Sequence, residues 1–598
     1  MSPALLLSCC CVLTPAVAAA RSPQEVAGGT TARPNLLLVT IDTTRADHLG
    51  CYGDRDARTP ALDGLARDGL LFERAVATAP ITLPSHASIL TGQYPIVHGV
   101  RDNGTYAARP ELQTLAEVLH GAGYATAAFV SAHVLAAAYG LAQGFDVYDD
   151  RLDQIVVRGV GSLERRAGST VTAALAWLDR PPQEPWFLWV HLYDPHAPYS
   201  PPESVEDLPA ERYDAEISYA DRQLGRLLAR VDAAGRGERT IVVATADHGE
   251  GLGEHREATH GLFVYDSTMV VPLLIRWPPL GAGRRIGGQV SHVDLFPTLL
   301  ELLGLPPAKE RCGASLVAEL KTQAPSIMHD AYLETQLPRD AYGIAPLEAV
   351  STGAEKLIRA PRPELYFLHK DPRELDDRHA AETATAERLS NLMAKMRGDR
   401  PFIAGQPPRA LDDEERARLA ALGYAGDTSL GDEAAAMDPK DAVEILEIES
   451  RARTLMAQRR TDESEQQLRR ILARVPRYAS AWAILGQVLL QRGRLEEARE
   501  ALERALSLRP DTIGAAEDLA RIHRAAGRFG LALQALEQSL AHGPSNGAAW
   551  LLASEIALEA GDRASAIGYA EKGISKLRPE SAASKALQER LSKLKEKS

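Results

Sequence analysis

Cysteine is scarce in this chain, with five residues in 598. Three of them, Cys9, Cys10 and Cys11, stand together near the start, so Cys51 and Cys312 alone remain for the folded body. Two thiols imply neither a disulfide framework nor a cysteine metal site. Long apolar runs are also missing. Beyond the first twenty residues nothing approaches the ~18 apolar residues that a membrane span needs, so no transmembrane helix is expected in the mature chain. Positive charge is in deficit, with 67 Lys and Arg against 80 Asp and Glu and a formal net charge of −13. No basic stripe interrupts that excess, which excludes a nucleic-acid partner. The acidic balance says little about the substrate, because a bound cation can reverse the local field. What is present is ordinary for folded protein, 45% hydrophobic and 25% charged residues. The length calls for two or three domains.

The first twenty residues, "MSPALLLSCCCVLTPAVAAA", carry no charged side chain and end in small residues. They read as a secretory signal (1–20) lacking its positive start, and hence as a periplasmic or secreted protein. A lipoprotein leader with Cys9 as the anchored residue and a misassigned start codon are the other two readings.

From Pro34 onward, strand-like runs alternate with amphipathic stretches. "NLLLVTID", "ATAAFVS", "WFLWVHLYD", "TIVVATAD" and "VPLLIRW" are the strands, and "TLAEVLHGAG", "VTAALAWLD" and "ISYADRQLGRLLARV" are the helices. The alternation predicts an α/β fold with a mostly parallel sheet. Ligands of such sheets bind beyond the carboxyl ends of the strands, and Asp42, Asp194 and Asp247 each fall where a strand run stops. Past Pro307 the pattern loosens until "ELYFLHKDPRELDDR", a strand followed by a turn. Residues 401–437 read as linker. Beyond them Pro476, Pro510 and Pro544 recur at a spacing of 34, as do Gly493, Gly527 and Gly561. The columns Trp482, Ala516, Trp550 and Ala498, Ala532, Ala566 keep the same step. A 34-residue helix–turn–helix period is the tetratricopeptide (TPR) signature, so residues 438–598 form an all-α solenoid that fits a protein partner.

The segment "ITLPSHASILTG" sets the Thr82 hydroxyl at the start of a helix, with Pro84 at an early helical position and His86 one turn on. Alone, Thr82 reads as a helix N-cap. Beside it in the sequence pattern stand Asp42, Asp247 and His248 at strand ends, Asp194 and His196 in "HLYDPHAPY", and His260 in "THGLFVYD". Carboxylates, an imidazole and a hydroxyl suit one divalent cation, zinc, manganese or calcium. A cation on the Thr82 hydroxyl would turn it into a nucleophile towards an anionic ester. The small-molecule, lipid or glycan nature of that ester stays open.

Between Pro34 and about Arg378 the chain resembles the sulfatases of the alkaline phosphatase superfamily. The likeness is carried by "PNLLLVTIDTTRADHLGCYG", "PSHASILTG", "HGVRDN", "LAEVLHGAGYATAAF", "HLYDPHAPY", "ADHGEGLGEH", "VYDSTMVVPLLIRWP" and "ELYFLHKDP". It implies a catalytic domain over 34–310 and a smaller C-terminal α+β subdomain over 311–400. The departures are specific. Sulfatases place Cys or Ser, then x-Pro-x-Arg, where this chain has Thr82 and His86. Oxidising a threonine gives a ketone, so no formylglycine is expected. The family's second N-terminal metal-binding Asp is Thr43 here, and the His260 region stands where the family's substrate Lys is found. The set Asp42, Thr82, Asp247 and His248 is similar to that of the Thr-type phosphoethanolamine and lipoteichoic-acid transferases, in which it holds one metal. By that resemblance His196 and His260 contact the substrate or help hold a second metal with Asp194, a matter left open. Asn103 resembles the phosphate-binding Asn of the nucleotide pyrophosphatase branch, and His86 takes the substrate-side place of the family's Arg. The function implied is metal-dependent hydrolysis or transfer of a phosphate-type ester by Thr82. The alternatives are sulfate-ester hydrolysis without formylglycine, and a degenerate scaffold whose repeats bind a partner.

Overall fold

The computed structural model describes residues 33–398 and 437–596, apart from short stretches at 158–159, 181–182, 203–208, 210, 234, 323–325, 511, 513, 544–545, 578 and 580. The leader and all but the last residue of the expected linker lie outside the described residues.

Six strands build the part of the sheet that matters for the site: β1 (Asn35–Ile41), β2 (Ala125–Phe129), β3 (Val147–Asp149), β4 (Trp186–Leu192), β5 (Thr240–Ala246) and β6 (Leu273–Arg276). Their spatial order is β6-β5-β1-β4-β2-β3, within an eleven-stranded sheet among the described residues. From β5 to β3 all neighbours are parallel, while β6 returns antiparallel to β5. The connection from Asp247 to Pro272 holds only short elements, among them the helix Asp266–Met269 and the strand Val270–Val271, and no full crossover helix, so β6 returns antiparallel. Every residue of β1, β4 and β5 is buried, as expected when both sheet faces are covered. The period of two sorts them. Leu36, Leu38, Phe187, Trp189, Ile241 and Val243 pack on one face with Leu83, Ala87 and Leu90 of the Thr82–Thr91 helix. Leu37, Val39, Leu188, Val190 and Val242 pack on the other with Val171, Ala174, Ile217 and Leu224 from the helices Ala167–Asp179 and Arg212–Ala233.

Register then fixes the site. Ile41 pairs with Leu192 on one side and Ala246 on the other. The chain therefore leaves the sheet at the same edge three times, with Asp42, the 193–199 segment and Asp247 emerging together.

A second sheet, antiparallel throughout, runs Ala331–Thr335, Leu347–Ser351, Glu355–Arg359 and Glu364–Phe367, and the Thr383–Arg397 helix packs on it. The chain returns once to the large sheet beyond the expected subdomain start at 311. Ser326–Met328 still pairs with Gly287–Gln289 of the large sheet, in close contact at Gly288, where φ is +84° and a Cβ would lie 1.9 Å from the Ile327 carbonyl oxygen.

From Pro439 the chain is helical. Gly493, Gly527 and Gly561 turn each helix pair with φ of 72°, 69° and 82°, and Ala498, Ala532 and Ala566 are fully buried at the helix crossings. One period earlier stands Arg459, which adopts the same left-handed turn with φ 61°. The first repeat thus keeps the turn without the glycine. Its first helix, Pro439–Ala457, docks on the catalytic domain: Val443 enters that domain's core, and Ile344 enters the core of the repeats. Val443→Asp would bury an unpaired carboxylate there. A stability loss of about 3 kcal/mol or more is expected, read as a lower thermal midpoint of the full chain, and an unchanged midpoint would show that this interface does not form.

Candidate active site

Each of the four residues expected to hold a cation is buried and leaves one polar atom without a hydrogen-bond partner. These atoms are Asp42 Oδ1, Thr82 Oγ1, Asp247 Oδ2 and His248 Nε2. The ligand atoms of Asp42, Asp247 and His248 lie within 4.8 Å of one another. His248 Nε2 is 3.9 Å from Asp42 Oδ1 and 3.5 Å from Asp247 Oδ2. A buried carboxylate oxygen left unpaired is costly, and two facing one imidazole lone pair are costlier still. The donor set of Asp42, Asp247 and His248 fits a divalent cation, which would satisfy these three atoms together.

The remaining atoms of these residues are all engaged. His248 Nδ1 donates to the Gly249 carbonyl at 2.9 Å, so Nε2 presents its lone pair. Asp247 Oδ1 accepts the Thr43 and His248 backbone N–H groups at 3.2 and 2.8 Å. Thr43 reaches it only by taking a left-handed conformation, φ 49°, which is strained for a β-branched residue. Asp42 Oδ2 pairs with His191 Nε2 at 3.2 Å. His191 Nδ1 accepts the Ser131 N–H at 3.3 Å, which assigns the ring proton to Nε2. Burial raises the Asp42 carboxyl to about 7 and depresses the His191 imidazole to about 4.

Thr82 is the first residue of its helix rather than the residue before it, and its hydroxyl caps nothing. His86, expected on the substrate side, is instead fully buried with both ring nitrogens occupied by protein. Nδ1 donates to the Thr82 carbonyl at 2.8 Å, and Nε2 accepts from the Thr40 hydroxyl at 2.9 Å, itself held by Trp189 Nε1 at 3.1 Å. Burial pushes the imidazole down to about 3. Its Nδ1 also lies 3.6 Å from Asp247 Oδ2, so one ring ties the helix start to the carboxylate site. His86, His191 and Asp247 form a second group with metal-like spacing, but both imidazoles already spend their nitrogens on neighbours.

Asn103 lies at the same helix start. Its Oδ1 accepts the Leu83 N–H at 2.8 Å, while its buried Nδ2 has no partner. His260 and His196 close the other side, with the His260 ring 4.4 Å from that of His248 and 5.0 Å from that of His196. His260 Nδ1 pairs with Glu250 Oε1 at 3.0 Å, and Tyr199 donates to Glu250 Oε2 at 2.9 Å. Burial lowers the His260 imidazole to about 4 and raises the Glu250 carboxyl to about 8. Asp194 does not join these histidines in a common donor group among the described residues. Its Oδ2 instead accepts the Ala167 N–H at 2.6 Å, at the start of the Ala167–Asp179 helix. Favourable placement of a carboxylate at a helix N-terminus explains that choice.

Three supporting residues escape a motif reading: His191, Thr40 and Ser85, whose hydroxyl donates to the Asp247 carbonyl at 2.6 Å. His191 is brought to Asp42 by the parallel register, in which it sits opposite Thr40, two residues before Asp42.

Residues 34–305 match the family model described as Sulfatase. Residues 253–399 match N-sulphoglucosamine sulphohydrolase, C-terminal, and residues 450–512 and 517–582 match tetratricopeptide repeats. Residues 34–305 thus resemble a sulfatase-family domain and are followed by TPR repeats, and the sulfatase homologues indicate an ester hydrolase. It is 27% identical over 386 residues to an ulvan-active sulfatase of Formosa agariphila, covering 56% of this chain and 75% of the relative. It is 24% identical to a delta 4,5-hexuronate-2-O-sulfatase of Bacteroides thetaiotaomicron, over 57% of this chain and 84% of that one. The fold matches that of a phosphonate monoester hydrolase of Agrobacterium radiobacter with a TM-score of 0.52 at 24% identity, covering 61% of this chain and 95% of the other.

Because the buried Asp42 carboxyl titrates near 7 and a cation needs the carboxylate, binding must expel a proton at lower pH. Apparent affinity for zinc or manganese is expected to fall about tenfold per pH unit below about pH 7, measured by calorimetry in buffers of different ionisation enthalpy. Affinity independent of pH between 5 and 7 would contradict the assignment of Asp42 as a ligand.

Proposed function

We propose that this domain hydrolyses anionic esters, phosphate-type esters above all, with Thr82 as the nucleophile. The observation that carries the reading is the Thr82 hydroxyl, 1% exposed and without a partner, on a helix start that His86 ties to Asp247. A divalent cation held by Asp42, Asp247, His248 and Thr82 would lower the hydroxyl pKa and polarise the ester oxygen.

The chain's own groups do the rest. Thr82 Oγ1, its proton lost to solvent, bonds to phosphorus in line with the departing oxygen. The phosphorus–oxygen bond to the alcohol breaks, and that oxygen takes a proton from the imidazolium of His196 or His260. Burial keeps both rings neutral in the resting protein, and the negative charge of a bound ester raises their basicity. Asn103 Nδ2 donates to a non-bridging oxygen, and the positive helix N-terminus favours the charge that develops there. Water then attacks phosphorus and releases Thr82, or an acceptor alcohol does so and the reaction is a transfer. His86 acts as a positioning residue through the Thr82 carbonyl.

Phosphate-type esters are favoured because threonine has no route to the aldehyde hydrate by which sulfatases attack sulfate. Sulfate-ester hydrolysis without formylglycine is the second reading, supported by the sulfatase names of the relatives. The repeats offer a surface for a protein partner, and the uncharged first twenty residues support export to the periplasm or beyond.

Thr82→Ala is expected to lower kcat on aryl phosphates and phosphodiesters by roughly 10³-fold or more, while Thr82→Ser keeps measurable turnover. Matched sulfate, phosphate and phosphonate esters assayed in parallel separate the two enzymatic readings. Full turnover by Thr82→Ala would remove the nucleophile, and purified protein that binds no cation would favour a scaffold role.

A further inference from the structure

Between His248 and His260 the backbone is unusually contorted. Leu252, His255 and Arg256 have φ of 49°, 49° and 66°. Seven non-glycine residues have positive φ among the described residues, and three of them fall in these five positions. Such conformations are costly and persist where surrounding contacts over-determine them. Here the contacts come from three parts of the chain. Arg45, just past β1, reaches Glu254 at 2.8 Å and the Glu250 carbonyl at 3.1 Å. In the C-terminal subdomain the Arg373 carbonyl accepts from His255 Nε2 at 3.1 Å, and the His255 ring stacks on Tyr265 with centroids 3.5 Å apart. From the repeats, Glu447 pairs with Arg256 at 2.6 Å.

The Glu447 helix is itself firmly seated. Arg362 grips Asp441 with two hydrogen bonds of 2.7 and 3.0 Å, Lys440 pairs with Glu364 at 2.5 Å, and Val443 is buried in the catalytic core. The loop it touches is a narrow ladder, with Gly251 N–H on the Thr259 carbonyl at 2.6 Å and Gly253 N–H on the Glu257 carbonyl at 2.8 Å. Movement at Arg256 is therefore passed along both rails, one ending at Glu250 and the other at His260.

We infer that Glu447, a residue of the repeat array, is a positioning residue for the catalytic site: through Arg256 it holds the 249–261 loop so that Glu250 and His260 meet beside His248. The repeats are then part of the catalytic unit, and a partner on them has a mechanical route to the site. The inference rests on the reading of this site as the active site. Both side chains of the pair are about half exposed, 52% and 43%, so the pair adds little to global stability and its loss leaves the fold intact.

The test uses the full chain with Glu447→Arg, Arg256→Glu and the double reversal. Each single variant is expected to speed amide hydrogen exchange across 250–261 and to lower kcat/KM on the best ester by roughly three- to tenfold, mainly through kcat, with the thermal midpoint unchanged. The double reversal restores both. Unchanged exchange in the single variants, exchange that rises without any loss in kcat/KM, or a double variant no better than the singles would each overturn it. Exchange is read without substrate. A wild type that turns over no ester therefore counts against the proposed function, while the exchange pattern still decides whether Glu447 holds the loop.

Discussion

Two carboxylate oxygens and one imidazole nitrogen, all from fully buried residues, face each other at the strand ends. Everything else near the strand ends follows from keeping them there. Each ligand residue divides its atoms in the same way, one held by the protein and one left over. Asp42 gives Oδ2 to His191, Asp247 gives Oδ1 to two backbone N–H groups, and His248 gives Nδ1 to a carbonyl. Holding uncompensated charge at this depth costs several kcal/mol per group without a counter-ion. The sheet offsets that cost with three fully buried parallel strands whose register brings their ends level.

The hydroxyl is delivered by a different device. The Thr82–Thr91 helix is buried along its whole length, so its position is set by packing on the sheet face, and its first turn is then fastened by His86, Ser85 and Asn103. His86 stands where the family places an arginine. A neutral ring with one donor and one acceptor can do what a guanidinium cannot, since it accepts a hydrogen bond from the Thr40 hydroxyl and donates one to the Thr82 carbonyl. Thr82 and His86 thus form a matched pair: the hydroxyl proposed as nucleophile, and a support that brings no extra charge.

Much of this was legible in the residues. The alternation of strands and helices, the aspartates at strand ends and the 34-residue columns gave the architecture, and the motif order pointed to Asp42, Asp247 and His248, which the structure brings together. What escaped is long-range or compensated. Whether His86 meets substrate or packs beside Thr82 was open in the sequence because its neighbours, Thr40 and Trp189, come from two strands that sequence spacing cannot align. Asp194 sits in a motif beside His196, yet its direction is set by the backbone of a helix starting at Ala167. The return of Ser326–Met328 to the large sheet was not legible because that strand is three residues long, too short for any periodicity. Arg459 hides the first repeat's turn because an arginine carries no turn signal, although it adopts the glycine's conformation.

The repeats share two cores with the α/β domain through Val443 and Ile344, so the two parts form one folded body. The central claim is that the Thr82 hydroxyl shares a cation with Asp42, Asp247 and His248. Anomalous diffraction from crystals grown with zinc or manganese tests it most directly. The account predicts one strong peak within about 2.5 Å of Asp42 Oδ1, Asp247 Oδ2, His248 Nε2 and Thr82 Oγ1 together. A cation bound at other residues, or one at this site with the Thr82 oxygen outside its coordination sphere, would contradict it.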